Sequence, residues 1–312
     1  MQVRGRVLKS TGSWYQVKTL EGTLLDCRLK GIFRTHGLKN TNPVVVGDYV
    51  SVDLADGESN AIISAIEPRS NYIIRKATNA SKIVHILASN IQQAMLVATL
   101  HQPRTSLGFI DRFLVTAEAY DIPVRIVFNK SDLYDTDDLS LLKKYTAIYK
   151  ACGYDVMVVS ALTGSGLIAL KEYCLHKTTL LAGHSGVGKS AIINSLFPGL
   201  DLLTGSISEY HQKGKHTTTF AQIHETERDT YIVDTPGIKE FGLIDFKLEE
   251  VALYFPEMKQ LLHKCQFYNC THSHEPGCEV KKAVTAGSIA TSRYANYLNI
   301  ISDKNLEIND WE

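Results

Sequence analysis

The sequence predicts a multi-domain chain: a small all-β barrel in front, a central α/β unit, and a mainly helical C-terminal part. Three observations carry that reading. Short runs of alternating apolar residues, separated by Gly, Asn, Pro and Asp turns, fill the first seventy positions. From about 75 to 240, strand-like runs alternate with helix-like ones. Beyond 243, helical stretches flank a crowd of cysteines and histidines. The expected domains are therefore 1–70, 75–242 and 243–312, and a length of 312 residues suits two or three domains.

Composition narrows the classes. With 44% hydrophobic and 21% charged residues, the chain is neither a disordered tail, a coiled coil nor collagen-like. Apolar runs such as Ala94–Leu100 fall far short of the ~18–20 residues of a membrane span. The N-terminus, MQVRGRVLKS, has no apolar signal region, so a cytoplasmic location without a membrane partner is expected. Basic and acidic residues balance at 33 each, so global charge does not argue for nucleic-acid binding.

In the first part, Gly5–Lys9, Trp14–Thr19, Thr23–Leu29, Tyr49–Leu54 and Ala61–Ile66 read as strands. Such a set suits an OB-fold, and an SH3-like barrel fits the same pattern. Charge is uneven here. Residues 1–40 hold eight bases against Glu21 and Asp26, whereas 41–70 hold only Arg69 against five acids. The basic half also carries Trp14, Tyr15 and Phe33. Bases beside aromatics suit single-stranded nucleic acid, through phosphate contact and stacking, although a solvated barrel surface would look similar. The candidate RNA contacts are Arg4, Arg6, Lys9, Arg28, Lys30 and Arg34.

In the second part, strands are expected at Gln93–Leu100, Val124–Phe128, Asp155–Val159, Thr179–Ala182, Thr219–Glu225 and Thr230–Val233. Helices are expected at Ile110–Tyr120, Leu139–Ala151, Leu167–Cys174 and Lys189–Leu196. The alternation implies an open sheet with helices on both faces. In the third part, Leu248–Lys264 and Ser288–Ser302 read as helical.

The strongest motif is GHSGVGKS, Gly183 to Ser190, which fits G-x-x-x-x-G-K-S/T between a strand and a helix. Gly183, Ser185, Gly186, Val187 and Gly188 offer backbone N–H groups to phosphates, Lys189 reaches the β and γ oxygens, and Ser190 ligates Mg²⁺. This implies a nucleoside triphosphate. Asn129-Lys130-Ser131-Asp132 reads N-K-x-D after a strand. A carboxylate there accepts from guanine N1 and the 2-amino group, a pair adenine lacks. Asn129 braces the loop, and the Lys130 stem lies on the base. Ser160-Ala161-Leu162 ends the next strand, placing the Ala161 N–H to meet guanine O6. Asp234-Thr235-Pro236-Gly237 closes the last strand, with Asp234 near Mg²⁺ through a water and the Gly237 N–H on the γ-phosphate. In Gly214–Thr219, Thr218, with Thr217 next, is the candidate second Mg²⁺ hydroxyl.

The order of these motifs is unusual. In Ras-like GTPases the phosphate loop, Thr loop and DxxG precede NKxD and SA, whereas here NKSD and SAL come first. A sheet tolerates this because its ordinary termini lie close enough to be joined. The new ends fall after Asp234–Gly237 and before Gln93, so both flanking parts are expected to hang from the γ-phosphate-sensing side.

With a barrel in front and a Cys/His cluster behind, the chain resembles the bacterial family of circularly permuted GTPases that depend on the small ribosomal subunit (RsgA, also YjeQ or EngC). The resemblance spans essentially the whole chain. It implies a GTP hydrolase that acts late in small-subunit assembly, binds rRNA, is stimulated by the subunit and leaves on hydrolysis. Its partners would be the small ribosomal subunit with its rRNA and GTP/GDP, and the expected state is a monomer. Where Ras-like enzymes carry a water-orienting Gln after DxxG, this chain has Ile238, which cannot hydrogen-bond. His216 in the Thr loop is the catalytic candidate, and the resemblance points to it as well. Gly186 stands where potassium-activated relatives carry Asn, so no strong potassium requirement is expected. A rival reading is a nucleotide-dependent RNA-binding module with incidental hydrolysis. A P-loop ATPase or small-molecule kinase is disfavoured by Asp132.

Cys265-x4-Cys270-x-His272-x5-Cys278 offers three thiolates and an imidazole. This is a donor set for one structural Zn²⁺. His263 and His274 are alternatives for the imidazole, and the resemblance favours His272. The C-terminal part carries seven bases against ten acids, which argues against a general RNA-binding role for it.

Overall fold

The first five strands close on one another. β1 (Gln2–Ser10) pairs antiparallel with β2 (Tyr15–Thr19) and with β4 (Tyr49–Asp53), and β2 pairs with β3 (Leu24–Leu29). β5 (Ala61–Ile66) then pairs parallel with β3 and antiparallel with β4. The parallel pair closes a five-stranded barrel of OB-like type, which decides between the two barrels that the sequence pattern allows. Alternation fills the interior with Val7, Tyr15, Val17, Val50, Val52 and Ile63. Where β1 pairs with β2, a Cβ on Gly5 would lie 2.8 Å from the Lys18 carbonyl oxygen, so only glycine fits. The computed structural model of the chain describes residues 1–31, 43–54, 61–76, 84–200, 221–234 and 248–302.

A hairpin unforeseen in the sequence, β6 (Tyr72–Lys76) with β7 (Val84–Ser89), links the barrel to the central unit. Buried Asp48 fastens it. Its carboxylate accepts from Arg69 Nε (2.6 Å), Arg69 Nη2 (2.7 Å), Ser89 Oγ (2.6 Å) and the Val45 N–H (2.9 Å).

The central unit runs β8 (Gln93–Ala98), α1 (Leu107–Ala119), β9 (Val124–Phe128), α2 (Thr136–Ala151), β10 (Asp155–Val158), α3 (Leu167–Cys174), β11 (Thr178–Ala182), α4 (Lys189–Leu196), β12 (Gln222–Glu227) and β13 (Thr230–Asp234). Its sheet order is β10-β9-β8-β11-β13-β12, parallel except for β12. Every residue of β8 and β11 is buried, as a strand covered on both faces requires. Phe109, Phe113, Leu114 and Tyr149 cover one face, while Leu167, Leu170, Ile192 and Ile193 cover the other. Both long helices begin three residues earlier than periodicity alone suggests, because capping sets the start. Ser106 Oγ accepts the Phe109 N–H (3.2 Å) at α1, and Asp135 and Asp138 form a capping box at α2. Lys9 of β1 bridges Gln222 of β12, so barrel and central sheet run on as one eleven-stranded sheet.

The helix expected over Leu248–Lys264 is broken. A 3₁₀ stretch (Leu248–Tyr254), a single α-turn, α5 (Pro256–Lys259), and a second 3₁₀ turn (Leu262–Lys264) replace it. Pro256 has no N–H to donate and holds Phe255 extended, so the helix restarts there. α6 (Glu279–Thr285) and α7 (Thr291–Ser302) follow. Val251, Phe255, Met258, Val280, Tyr297 and Ile300 form this part's core, which also includes Val115 of α1. Among the described residues, the C-terminal part thus seats on α1. No described helix is long and apolar enough to cross a membrane.

Candidate functional site

Four candidate loops leave the C-terminal ends of parallel strands and therefore converge on one edge of the sheet: Gly183–Ser190 after β11, Asn129–Asp132 after β9, Ser160–Ala161 after β10, and Asp234 ending β13. That edge is where open α/β sheets bind ligands.

The phosphate-loop turn needs its glycines. Gly183 and Gly188 have φ of 134° and 92°. A Cβ on Gly183 would meet the Val97 carbonyl oxygen at 2.3 Å, and one on Gly188 the Asn129 Nδ2 at 2.4 Å. The Lys189 ammonium donates to the carbonyls of Gly183 (2.6 Å) and His184 (2.8 Å). Ser185 and Gly186 are exposed, Ser190 is half-buried at the start of α4, and Val187 is packed beneath the loop.

Asn129 ties three loops together. Its Nδ2 donates to the Val187 carbonyl (2.9 Å), and its Oδ1 accepts the Ala161 N–H (3.1 Å). Buried Ser160 donates from Oγ to the exposed Asp132 carboxylate and accepts the Thr163 N–H (3.1 Å). Lys130 adopts a left-handed conformation (φ 65°) and donates from Nζ to the Gln102 carbonyl. Asp234 lies opposite Leu181 in the β11–β13 register, next to the phosphate loop.

The sequence reading missed one wall of the site, the β8–α1 connection around His101–Thr105. Beyond the Lys130–Gln102 bond, Pro103 Cδ stands 3.3 Å from where a Gly186 Cβ would be. The loop is held by the Thr105 N–H on the Thr99 carbonyl (2.9 Å), by the Thr99 N–H on Thr105 Oγ1 (3.0 Å), and by His101 Nε2 against Asp138 Oδ1 (2.6 Å). Only the Gln102-Pro103 dipeptide marks it in the sequence, as a generic turn. His216, Thr218, Gly237 and Arg34 lie outside the described residues.

The second cluster is Cys265, Cys270, His272 and Cys278, whose donor atoms all lie within 4.8 Å of one another. His272 Nδ1 is 3.6 Å from Cys265 Sγ and 3.4 Å from Cys278 Sγ. Tetrahedral bonds of about 2.0–2.3 Å separate donors by about 3.3–3.8 Å, so the set fits a single metal ion. Burial pushes the Cys270 thiol up to about 12, with Cys278 and Cys265 adding to it. A bound cation reverses that cost by stabilising thiolate. Tyr294 and Tyr297 brace the loop, donating to the carbonyls of His272 (2.6 Å) and Thr271 (2.7 Å).

On the barrel, Arg28 lies over the half-exposed Trp14 ring, 4.2 Å from its centre, and Lys9 and Lys30 are exposed. Arg4 is exposed and paired with Glu67 through two bonds of 2.6 and 2.7 Å. Arg6 is a correction. It is only 7% exposed, between Tyr49 and Tyr231, and burial lowers its pKa. It faces the junction with the central sheet, so it is not part of an open RNA-facing surface.

A family model described as the RsgA GTPase matches residues 66–244, and one for the RsgA N-terminal domain matches 4–63. The chain belongs to the RsgA GTPase family. RsgA relatives cover nearly its full length. The protein from Bacteroides fragilis named small ribosomal subunit biogenesis GTPase RsgA is 52% identical over 302 residues, 97% of each chain. Its namesake from Porphyromonas gingivalis is 51% identical over 308 residues, 97% of this chain and 98% of that one. Among solved structures, YjeQ from Thermotoga maritima aligns with a TM-score of 0.80 at 36% identity, covering 97% of this chain and 98% of that one. YloQ, described as a circularly permuted GTPase, aligns with a TM-score of 0.76 at 28% identity, covering 100% and 98%. As an RsgA-family member the chain is a GTP-hydrolysing enzyme, and its loop order along the sheet is the permuted one.

Proposed function

We propose that this GTPase works in biogenesis of the small ribosomal subunit, binding immature rRNA in its GTP state and leaving after hydrolysis. The observation that carries the nucleotide reading is the Asn129 side chain, which clamps the phosphate loop to the loop after β10. The relatives' names supply the ribosomal context.

In this reading the N–H groups of Gly183–Ser190 cradle the phosphates, and Lys189 swings from its two carbonyl partners to the β and γ oxygens. Asp132, oriented by Ser160, recognises guanine, while Asn129, which holds the Ala161 N–H, and Lys130 fix the loop. Ser190 and Thr218 would hold Mg²⁺, which supplies charge neutralisation between the phosphates. Asp234 and Gly237 sense the γ-phosphate, and His216 orients the attacking water. Cys265, Cys270, His272 and Cys278 hold one structural Zn²⁺ that stabilises the fold of 243–312. The barrel, residues 1–70, contacts rRNA through Trp14, Arg28, Lys9, Lys30 and Arg34, the central unit, 75–242, times residence, and the C-terminal part transmits docking. The protein acts as a cytoplasmic monomer.

The test is the steady-state GTP hydrolysis rate, measured alone and with purified small or large ribosomal subunits. Stimulation by small subunits only is expected. A rate indifferent to both subunits would overturn the ribosomal part of the reading and leave a GTPase with another partner.

A further inference from the structure

One helical turn stands between the phosphate loop and the Cys/His domain. Three residues near the start of α1 reach the phosphate loop, α7 and α2. The Phe109 ring lies against the His184 imidazole of the phosphate loop, with centroids 3.8 Å apart and planes 30° apart. Gly108 faces α7, where a Cβ would stand 3.5 Å from Asn296 Oδ1. Asp111, fully buried, accepts from Arg293 Nη1 (2.7 Å) and Asn296 Nδ2 (2.5 Å) of α7, and from the Tyr149 hydroxyl of α2 (3.0 Å).

Arg293 is equally buried. It donates to both Glu257 oxygens (2.7 and 3.1 Å) and lies over the Phe255 ring at 4.5 Å. The same helix carries Tyr294 and Tyr297, which hold the metal-cluster loop. Contacts therefore run without a break from His272 through α7 and α1 to His184, whose carbonyl accepts the Lys189 ammonium. Apolar packing could join two domains at less desolvation cost. A buried ion pair does something apolar packing does not: it permits one register and penalises others, because a displaced carboxylate is left unpaired.

We propose that Arg293 and Asp111 are positioning residues for nucleotide binding. They set where the first turn of α1 stands against His184, so a shift of the Cys/His domain is felt at the phosphate loop. The proposal rests on the reading of Gly183–Ser190 as the nucleotide's seat. By linkage, nucleotide binding then biases the Cys/His domain to the same extent.

The test uses the full chain and measures mant-GDP affinity well below the melting temperature. Arg293→Met is expected to weaken mant-GDP about tenfold, a typical coupling. In a His184→Ala background the same substitution should change affinity by less than about twofold, because the receiving contact is gone. If Arg293→Met does not fold, Asn296→Ala carries the test, since it leaves the ion pair intact. Its smaller loss should vanish in the same background. A purely structural joint would lower the melting temperature and leave mant-GDP affinity alone, and that result overturns the proposal. So does an equal loss with and without His184. Failure of the unmodified chain to bind mant-GDP would instead refute the nucleotide reading on which the proposal stands.

Discussion

Arg6 of the barrel lies against Tyr231 of β13, its guanidinium carbon 4.7 Å from the ring centre. Lys9 bridges Gln222 and Lys18 pairs with Glu225, so the barrel is seated on β12 and β13, the strands that lead into Asp234. Arg6 is thus a joint, whereas Arg28, stacked on exposed Trp14, is a surface contact. Arg6→Ala should destabilise the protein by about 1–3 kcal/mol, through lost packing and cation–π contact. It should leave the salt dependence of oligoribonucleotide binding unchanged. Arg28→Ala should instead leave the melting temperature and lower the salt slope by about one. Thermal melts and a binding series in salt decide it, and identical slopes for both variants would contradict the assignment.

Asp132→Asn should reverse base choice. An amide presents N–H groups to the guanine donors that a carboxylate accepts, so GTP affinity should fall by about a hundredfold or more. Xanthine, with a carbonyl in place of the 2-amino group, should then compete better than guanine. Competition binding with GTP and XTP measures both. An unchanged preference for GTP would show that base selection lies elsewhere.

His216→Ala should lower kcat by about 10²–10⁴ and leave GTP affinity within about twofold, as loss of a water-orienting group predicts. Lys189→Ala should lower affinity as well, because its ammonium serves the phosphates before and during reaction. If His216→Ala turns over at the normal rate, the water is oriented by another group.

Elemental analysis should find one zinc per chain, and Cys278→Ser should remove it. Loss of metal should unfold the region around α6 and α7 first, seen as early hydrogen exchange there. The sign with pH follows from the thiols. Cys270 without metal is held protonated up to about 12, mainly by burial. Metal must therefore displace protons, and apparent affinity should rise as pH rises. A chelator that strips zinc without changing exchange would rule out the folding role.

Much of the site was legible because its chemistry is contiguous in sequence. A phosphate loop needs its glycines, Lys189 and Ser190 within eight positions, and a metal loop needs closely spaced Cys and His. Apart from the β6–β7 hairpin, the strands were legible for the same local reason, since alternation and buried runs have short periods. Capping at Asp135 and the break at Pro256 shifted element ends by local hydrogen bonding that periodicity ignores. The β8–α1 wall escaped notice because Pro103 and Gln102 matter only through what folds against them.

By itself the sequence determined the order of barrel, α/β unit and helical part, the permuted arrangement of the nucleotide motifs, and the crowding of three cysteines with histidines in one short stretch. Tertiary structure alone decided that Arg6 and Arg28, both basic and both in barrel strands, have opposite fates. It also decided that Arg293 meets Asp111 across 182 positions of chain. Motifs are written in neighbouring residues. Which face meets which is set by the burial of surfaces from distant parts of the chain, and spacing along the sequence carries no record of it.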